Sequence, residues 1–175
     1  EKINKHHRCG VSISMGVGKT RLAIKHLQQF DAKVLVVIPK LSVKESWLEE
    51  LKKMNLQIEL EFVTYISLNK KNPSDYGIVY LDECHNLLYK HNEFLSNYTG
   101  IILGLTGTPP KNTMSEKYNM VMKYCPIVYK YTIDEATDSK ILNDYKIFIH
   151  YLSLSNKLDL KKTRRDGGFW FTNEN

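Results

Sequence analysis

An apolar run, Cys9 to Ile13, passes directly into Ser14-Met15-Gly16-Val17-Gly18-Lys19-Thr20, and Arg21 to Leu27 follow with apolar residues at helical spacing. A strand that turns through closely spaced glycines into a helix leaves few architectures open. Gly16 and Gly18 let the loop they form with Met15 and Val17 fold tightly enough for successive N–H groups to face phosphate oxygens. The helix N-terminus adds its partial positive charge. Lys19 is then placed for the terminal phosphates of a nucleoside triphosphate and the Thr20 hydroxyl for Mg²⁺. The longer form of such loops opens on glycine where this chain has Ile13, but the core Gly-x-Gly-Lys-Thr is intact. The competing reading is a glycine-rich turn with an incidental lysine.

Downstream, strand and helix signals alternate. Lys33 to Ile38 is a continuous apolar run stopped by Pro39, as expected of a parallel strand buried on both faces. Ser42-Val43-Lys44-Glu45 matches a capping box, with Val43, Trp47, Leu48, Leu51 and Met54 on one face of the helix it opens. Residues 57 to 63 alternate like a half-exposed strand, ended by Thr64 and Tyr65. Gly77 to Leu81 is a second buried strand and runs straight into Asp82-Glu83. A helical segment over 91 to 98 leads to a third, Ile101 to Leu105, which ends in Thr106-Gly107-Thr108-Pro109-Pro110. Ser115 caps a helix through Tyr124, a strand follows over 127 to 131, a helical turn over 134 to 140 and an edge-type strand over 145 to 154. These elements predict one three-layer α/β domain, residues 1–154, with a mostly parallel central sheet. Residues 155–175 read as a linker or the start of a further insertion or lobe. In such folds ligands bind outside the C-terminal ends of the strands, where every unusual polar cluster of this chain lies.

The 175 residues carry 25 Lys and Arg against 19 Asp and Glu, a formal charge of +6, which favours a polyanionic partner without requiring one. Three cysteines without CxxC spacing support neither a disulfide framework nor a zinc knuckle, and a reducing compartment fits them. No apolar run approaches the roughly 18 residues of a bilayer span, and residues 1 to 8 hold no signal-peptide core. The expectation is a cytosolic protein with no membrane partner, or a nuclear one in a eukaryotic cell.

Asp82 and Glu83 need separate jobs to justify their mutual repulsion. Asp82 is placed to hold Mg²⁺ opposite Thr20, and Glu83 to orient and deprotonate an attacking water. An exposed acidic pair is the plain alternative. Thr106-Gly107-Thr108-Pro109, alone, is also ordinary turn chemistry.

Gly16 to Thr20, Ile38-Pro39-Lys40, Val63-Thr64-Tyr65, Asp82-Glu83-Cys84-His85 and Leu105 to Pro109 resemble, in order, motifs I, Ia, Ib, II and III of superfamily 2 helicases and translocases. Met-Gly-x-Gly-Lys-Thr and Leu-Thr-Gly-Thr-Pro-Pro are most similar to the chromatin-remodelling ATPases and phage double-stranded DNA translocases. The resemblance covers residues 9 to 110 firmly and 131 to 154 more loosely. It implies a RecA-like P-loop NTPase fold and a first motor lobe using ATP and Mg²⁺. Lys19 would contact the β- and γ-phosphates, Thr20 and Asp82 would hold the metal, and Glu83 would be the catalytic base. His85 would couple with Thr106 and Thr108 to relay nucleotide state, and Lys40, Ser42, Thr64 and Tyr65 would lie along a nucleic-acid backbone, DNA ahead of RNA. A solvated Lys40, and a Thr64 and Tyr65 that merely end a strand, are the bland readings. The resemblance also leads one to expect a second RecA-like domain with an arginine finger elsewhere in the full-length protein, and feeble hydrolysis from this segment alone. An RNA helicase, a regulatory nucleic-acid-binding module and a small-molecule kinase are the alternatives. Lys161 to Arg165 with Phe169, Trp170 and Phe171 read as a solvated linker or as a nucleic-acid contact.

Overall fold

The computed structural model describes residues 7–144, 146, 160–165 and 168–173. The chain forms two units, Glu1–Asn143 and Asp144–Asn175. In the first unit the strands are β1 (Arg8–Ile13), β2 (Val34–Ile38), β3 (Leu60–Thr64), β4 (Ile78–Asp82), β5 (Ile101–Thr106) and β6 (Ile127–Tyr131). Five helices accompany them: α1 (Lys19–Leu27), α2 (Val43–Lys53), α3 (Asn92–Asn97), α4 (Glu116–Tyr124) and α5 (Ile133–Asp138). The strands make one sheet in the order β3-β2-β4-β5-β1-β6, and every pairing is parallel.

The alternation of side chains along each strand builds the three layers. Val34, Val36 and Ile38 of β2 join Ile24 and Leu27 of α1 and Trp47 and Leu51 of α2 on one face. Leu35 and Val37 point the other way, into a core closed by Phe94 and Leu95 of α3 and by Met120, Val121 and Tyr124 of α4. Every residue of β2 and β4 is buried, which explains why both read as unbroken apolar runs. Parallel neighbours need a crossover, and most here contain a helix; the β3–β4 connection instead uses 3₁₀ turns at Tyr65–Lys70 and Pro73–Asp75.

Gly104 on β5 is required by close approach. A Cβ there would lie 2.8 Å from Cys125 Sγ and 3.1 Å from Cys84 Sγ, so its absence lets the end of α4 press onto the sheet. Cys9, Cys84 and Cys125 are free and buried thiols.

Two local expectations are corrected. Ser42 does not cap α2: its backbone is already helical at φ −59°, ψ −23°, and its side chain makes no capping bond. A capping serine needs an extended backbone. A turn takes over instead, with Val43 N–H donating to the Lys40 carbonyl at 3.1 Å and Lys44 N–H to that of Leu41 at 3.0 Å. Leu48, placed on the buried face by its spacing, points outward, while Trp47 is fully covered.

The strand expected over 145 to 154 lies outside the described residues, save for Lys146. In the second unit, Leu160–Arg165 (β7) and Gly168–Asn173 (β8) form an antiparallel hairpin with Lys162 opposite Phe171 and Arg164 opposite Phe169. Among the described residues, no helix is long and apolar enough to cross a membrane.

Candidate active site

All six parallel strands deliver their C-terminal ends to one edge. At the end of β1 the chain turns through Gly16 at φ +80° and Gly18 at φ +99°, conformations that cost residues with a Cβ about 1 kcal/mol or more. Gly18 is the N-cap of α1 and contributes no side chain, and the first turn holds no acidic residue. The leading N–H groups of α1 are therefore open to an anion, in the field of the helix dipole. Met15 stands exposed at the loop's rim, and Thr20 is half-buried one residue beyond Lys19.

The end of β4 answers the loop. Lys19 Nζ lies 3.4 Å from Glu83 Oε1, with the Lys19 side chain only 12% exposed. β5 closes over this pair, since a Cβ on Gly107 would stand 3.4 Å from Lys19 Nζ and 3.3 Å from the Ile13 carbonyl. Glu83 takes a left-handed backbone, φ 51° and ψ 57°, unusual for a residue with a long side chain. Its carbonyl receives the Asn86 N–H at 2.9 Å and the Asn86 side-chain amide at 3.0 Å, which hold the turn.

Glu83 Oε2 faces the third group of residues. It lies 3.3 Å from His85 Nδ1 and accepts from the Thr106 hydroxyl at 3.4 Å. His85 Nδ1 is 2.9 Å from Thr106 Oγ1 and 3.4 Å from Thr108 Oγ1, and Thr108 N–H donates to Thr106 Oγ1 at 3.1 Å. A carboxylate only accepts, so a proton on His85 Nδ1 serves both Glu83 and Thr106. Lys19, Glu83, His85, Thr106 and Thr108, which span the sequence from the loop to the end of β5, thus form one continuous polar cluster.

Asp82 is held separately. It is buried at the last position of β4, with Oδ2 accepting from the Trp47 indole N–H at 3.0 Å and its carbonyl accepting from the Tyr65 hydroxyl at 2.9 Å. Burial pushes the Asp82 carboxyl pKa up, and the Trp47 hydrogen bond works in the opposite direction. The sequence did not single out Trp47 for this role; the available signal was that a buried indole must find an acceptor.

The residues expected along nucleic acid divide. Lys40 and Ser42 are exposed beyond β2, and Thr64 is half-buried at the end of β3, opposite Ile38 in the sheet register. Tyr65 is a correction: its ring is buried in the core and its hydroxyl is spent on Asp82, so it offers no side chain to a surface ligand. A larger cavity, about 910 Å³, lies between Leu27–Val34 and Leu56–Glu61, at the opposite end of the strands from both carboxylates.

A glycine loop after the first strand, facing a carboxylate pair across an all-parallel sheet, defines a RecA-like nucleotide-binding domain. Residues 1–79 match the family described as Type III restriction enzyme, res subunit. The DNA 3'-5' translocase XPB2 of Sulfurisphaera tokodaii is 25% identical over 181 residues, 93% of this chain and 40% of that protein. QP509L of African swine fever virus, named as a candidate ATP-dependent RNA helicase, is 26% identical over 132 residues, 61% of this chain and 26% of that one. Among solved structures, a nuclease-deletion mutant of the Type ISP restriction-modification enzyme LlaGI shares the fold with a TM-score of 0.56, at 15% identity over 80% of this chain and 19% of that one. These likenesses agree with the resemblance of the five motifs to the first RecA-like domain of superfamily 2 helicases and translocases. The chain spans well under half the length of the curated relatives it matches.

Proposed function

We propose that this domain is the N-terminal ATP-binding lobe of a DNA helicase or translocase, which couples ATP hydrolysis to movement on or remodelling of DNA. The observation that carries the reading is the ion pair between Lys19, the first residue of α1 after the loop, and Glu83, directly after β4, extended through His85 to Thr106. Lys19 and the loop N–H groups bind the β- and γ-phosphates. Glu83 orients the attacking water and accepts its proton. His85 and Thr106 share Glu83's second oxygen and Thr108 joins through both of them, so a change at the γ-phosphate reaches the end of β5 through hydrogen bonds.

The donors present suit Mg²⁺: the Thr20 hydroxyl and the Asp82 carboxylate are hard oxygens, and with Oδ2 tied to Trp47 the other oxygen of Asp82 is left to bind directly or through water. When bound there, the ion would neutralise charge on the transferring phosphoryl group.

XPB2 is named a DNA translocase, and LlaGI was solved with a DNA substrate mimic, which supports DNA as the track. Lys40, Ser42 and Thr64 lie on the edge where a backbone would run and position it without reading sequence. A second RecA-like lobe supplies the arginine finger, worth about 10³ to 10⁵ in rate in related chemistry. This lobe alone therefore turns over slowly. A motor on DNA belongs in the cytosol, or in the nucleus of a eukaryotic cell.

The viral relative's name favours a second reading, an RNA helicase. Both are tested in the full-length protein. Lys19→Ala should weaken nucleotide binding, and Glu83→Gln should bind ATP without hydrolysing it. Stimulation of the wild-type ATPase by duplex DNA over RNA selects the first reading, and the reverse selects the second. Normal hydrolysis by both variants would remove the motor assignment altogether.

A further inference from the structure

Beside the phosphate loop lies a small cavity of about 190 Å³, lined by Ile13, Val17, Gly18, Leu22, Tyr129 and Tyr131. We infer that this cavity receives the nucleobase of the bound triphosphate, stacked on the two β6 tyrosines. The inference rests on the nucleotide reading of the loop and deepens it.

Strand order sets the direction. β1, which feeds the loop, lies between β5 and β6, and β4 lies beyond β5. Asp82 ends β4 and Glu83 directly follows it, and the Lys19–Glu83 pair marks where the terminal phosphate sits. A triphosphate with its γ end toward β4 must carry its nucleoside the other way across the loop, over β6, the last strand of the sheet on that side. The cavity is there. Val17 and Gly18 belong to the loop and the cavity alike, so the two are continuous.

The lining suits a flat ring. None of its six residues is charged, and Tyr129 and Tyr131, two apart on a strand, share one face. Tyr129 is 41% exposed, an aromatic surface open to a stacking partner. The Tyr131 hydroxyl donates to the Glu135 carbonyl at 3.2 Å, which steadies its ring. The cavity is smaller than the roughly 300–1,000 Å³ that encloses a whole small molecule. It fits one base whose sugar and phosphates lie outside.

The test separates base from phosphate. Affinities for Mg·ATP and for Mg·tripolyphosphate, which has no nucleoside, are measured by calorimetry on the chain and on its Lys19→Ala, Tyr129→Ala, Tyr131→Ala and Tyr131→Phe variants. Each tyrosine-to-alanine change should weaken ATP about five- to hundredfold, the range base–aromatic stacking gives. Tripolyphosphate affinity should not move, which also certifies that the variants are folded, and Tyr131→Phe should stay near wild type. Lys19→Ala should weaken both ligands. Unchanged ATP affinity in both alanine variants, with Lys19→Ala still weakening both ligands, overturns the base site and leaves the phosphate loop standing. Equal loss of both ligands in the tyrosine variants overturns it too, since the rings would then act on the loop. If Lys19→Ala affects neither ligand, the nucleotide reading fails and takes this one with it. Photolabelling with 8-azido-ATP should mark the peptide containing Tyr129 and Tyr131; labelling confined to another segment counts against the site.

Discussion

The indole N–H of Trp47 donates to Oδ2 of Asp82 at 3.0 Å, with both side chains buried. Trp47 stands in α2, the helix that follows Lys40 and Ser42, and Tyr65, which holds the Asp82 carbonyl, directly follows Thr64. Asp82, proposed to hold the metal, is therefore steadied at its carboxylate and at its carbonyl by two segments that also present the proposed nucleic-acid contacts. Partners behind a metal-binding group set its orientation as much as the group itself does.

Trp47→Phe isolates that bond. Phenylalanine keeps an aromatic ring against Tyr80 and Phe62, whose centroids lie 5.9 and 6.4 Å from that of Trp47, but leaves Oδ2 without its buried donor. The expected cost is about 1–3 kcal/mol in urea unfolding, and a higher Mg²⁺ concentration for half-maximal ATPase in the full-length protein. Trp47→Ala also opens a cavity and should cost about 3–5 kcal/mol. Equal stability of Trp47→Phe and wild type would mean the bond contributes nothing.

Packing at the centre of the sheet gives a second expectation. Gly104→Ala would put a methyl group 2.8 Å from Cys125 Sγ and 2.9 Å from Cys125 Cβ. Neither atom is the far end of a flexible chain, so α4 or β5 must shift. Overpacking of this kind costs about 1–3 kcal/mol, read as a lowered urea midpoint at unchanged m-value. A midpoint at or above wild type would show that the sheet yields freely at this point.

Glu61 ties the sheet edge to pH. Its carboxyl accepts from Lys71 at 2.7 Å and Lys33 at 3.2 Å, and Lys71 foremost, then Tyr76, bring its pKa down to about 2. Since the folded value lies below the ordinary one, the stabilisation is complete above about pH 4.5 and is lost as pH falls toward 2. Its size is modest because solvent screens the pair. Urea midpoints of wild type and Glu61→Gln should differ at pH 6 and converge near pH 2.5. A difference that persists undiminished in acid would assign the effect to packing.

Much of this was legible in residue order. Buried parallel strands leave continuous apolar runs, and carboxylates or hydroxyls at their ends stand out against that background, so Lys19, Asp82, Glu83, His85, Thr106 and Thr108 could be grouped before their distances were known. What the chain conceals is the direction of a side chain at a strand end. Tyr65 follows β3 as a surface contact might, but its hydroxyl turns inward to Asp82, 17 residues away. Ser42 has a capping sequence on a backbone already wound into the helix. The hairpin of β7 and β8 was signalled by Asp166-Gly167 between two strand-compatible runs, a turn dipeptide outweighed by the basic charges of Lys161 to Arg165.

Glu83 carries the last expectation, because its chemistry and its backbone can be separated. Its left-handed conformation, φ 51°, favours glycine, while its carboxylate pairs with Lys19 and faces His85. Glu83→Ala and Glu83→Gly both delete the carboxylate, and only glycine takes this conformation without strain. Glu83→Gly should therefore be the more stable of the two by about 1 kcal/mol, although glycine also gains more freedom in the unfolded chain. Both should abolish hydrolysis in the full-length protein, and the stability gap should appear in urea unfolding without nucleotide. A Glu83→Ala variant as stable as Glu83→Gly would mean the turn relaxes once the side chain is gone, and that the strain is imposed by the Glu83 contacts themselves and not by the end of β4.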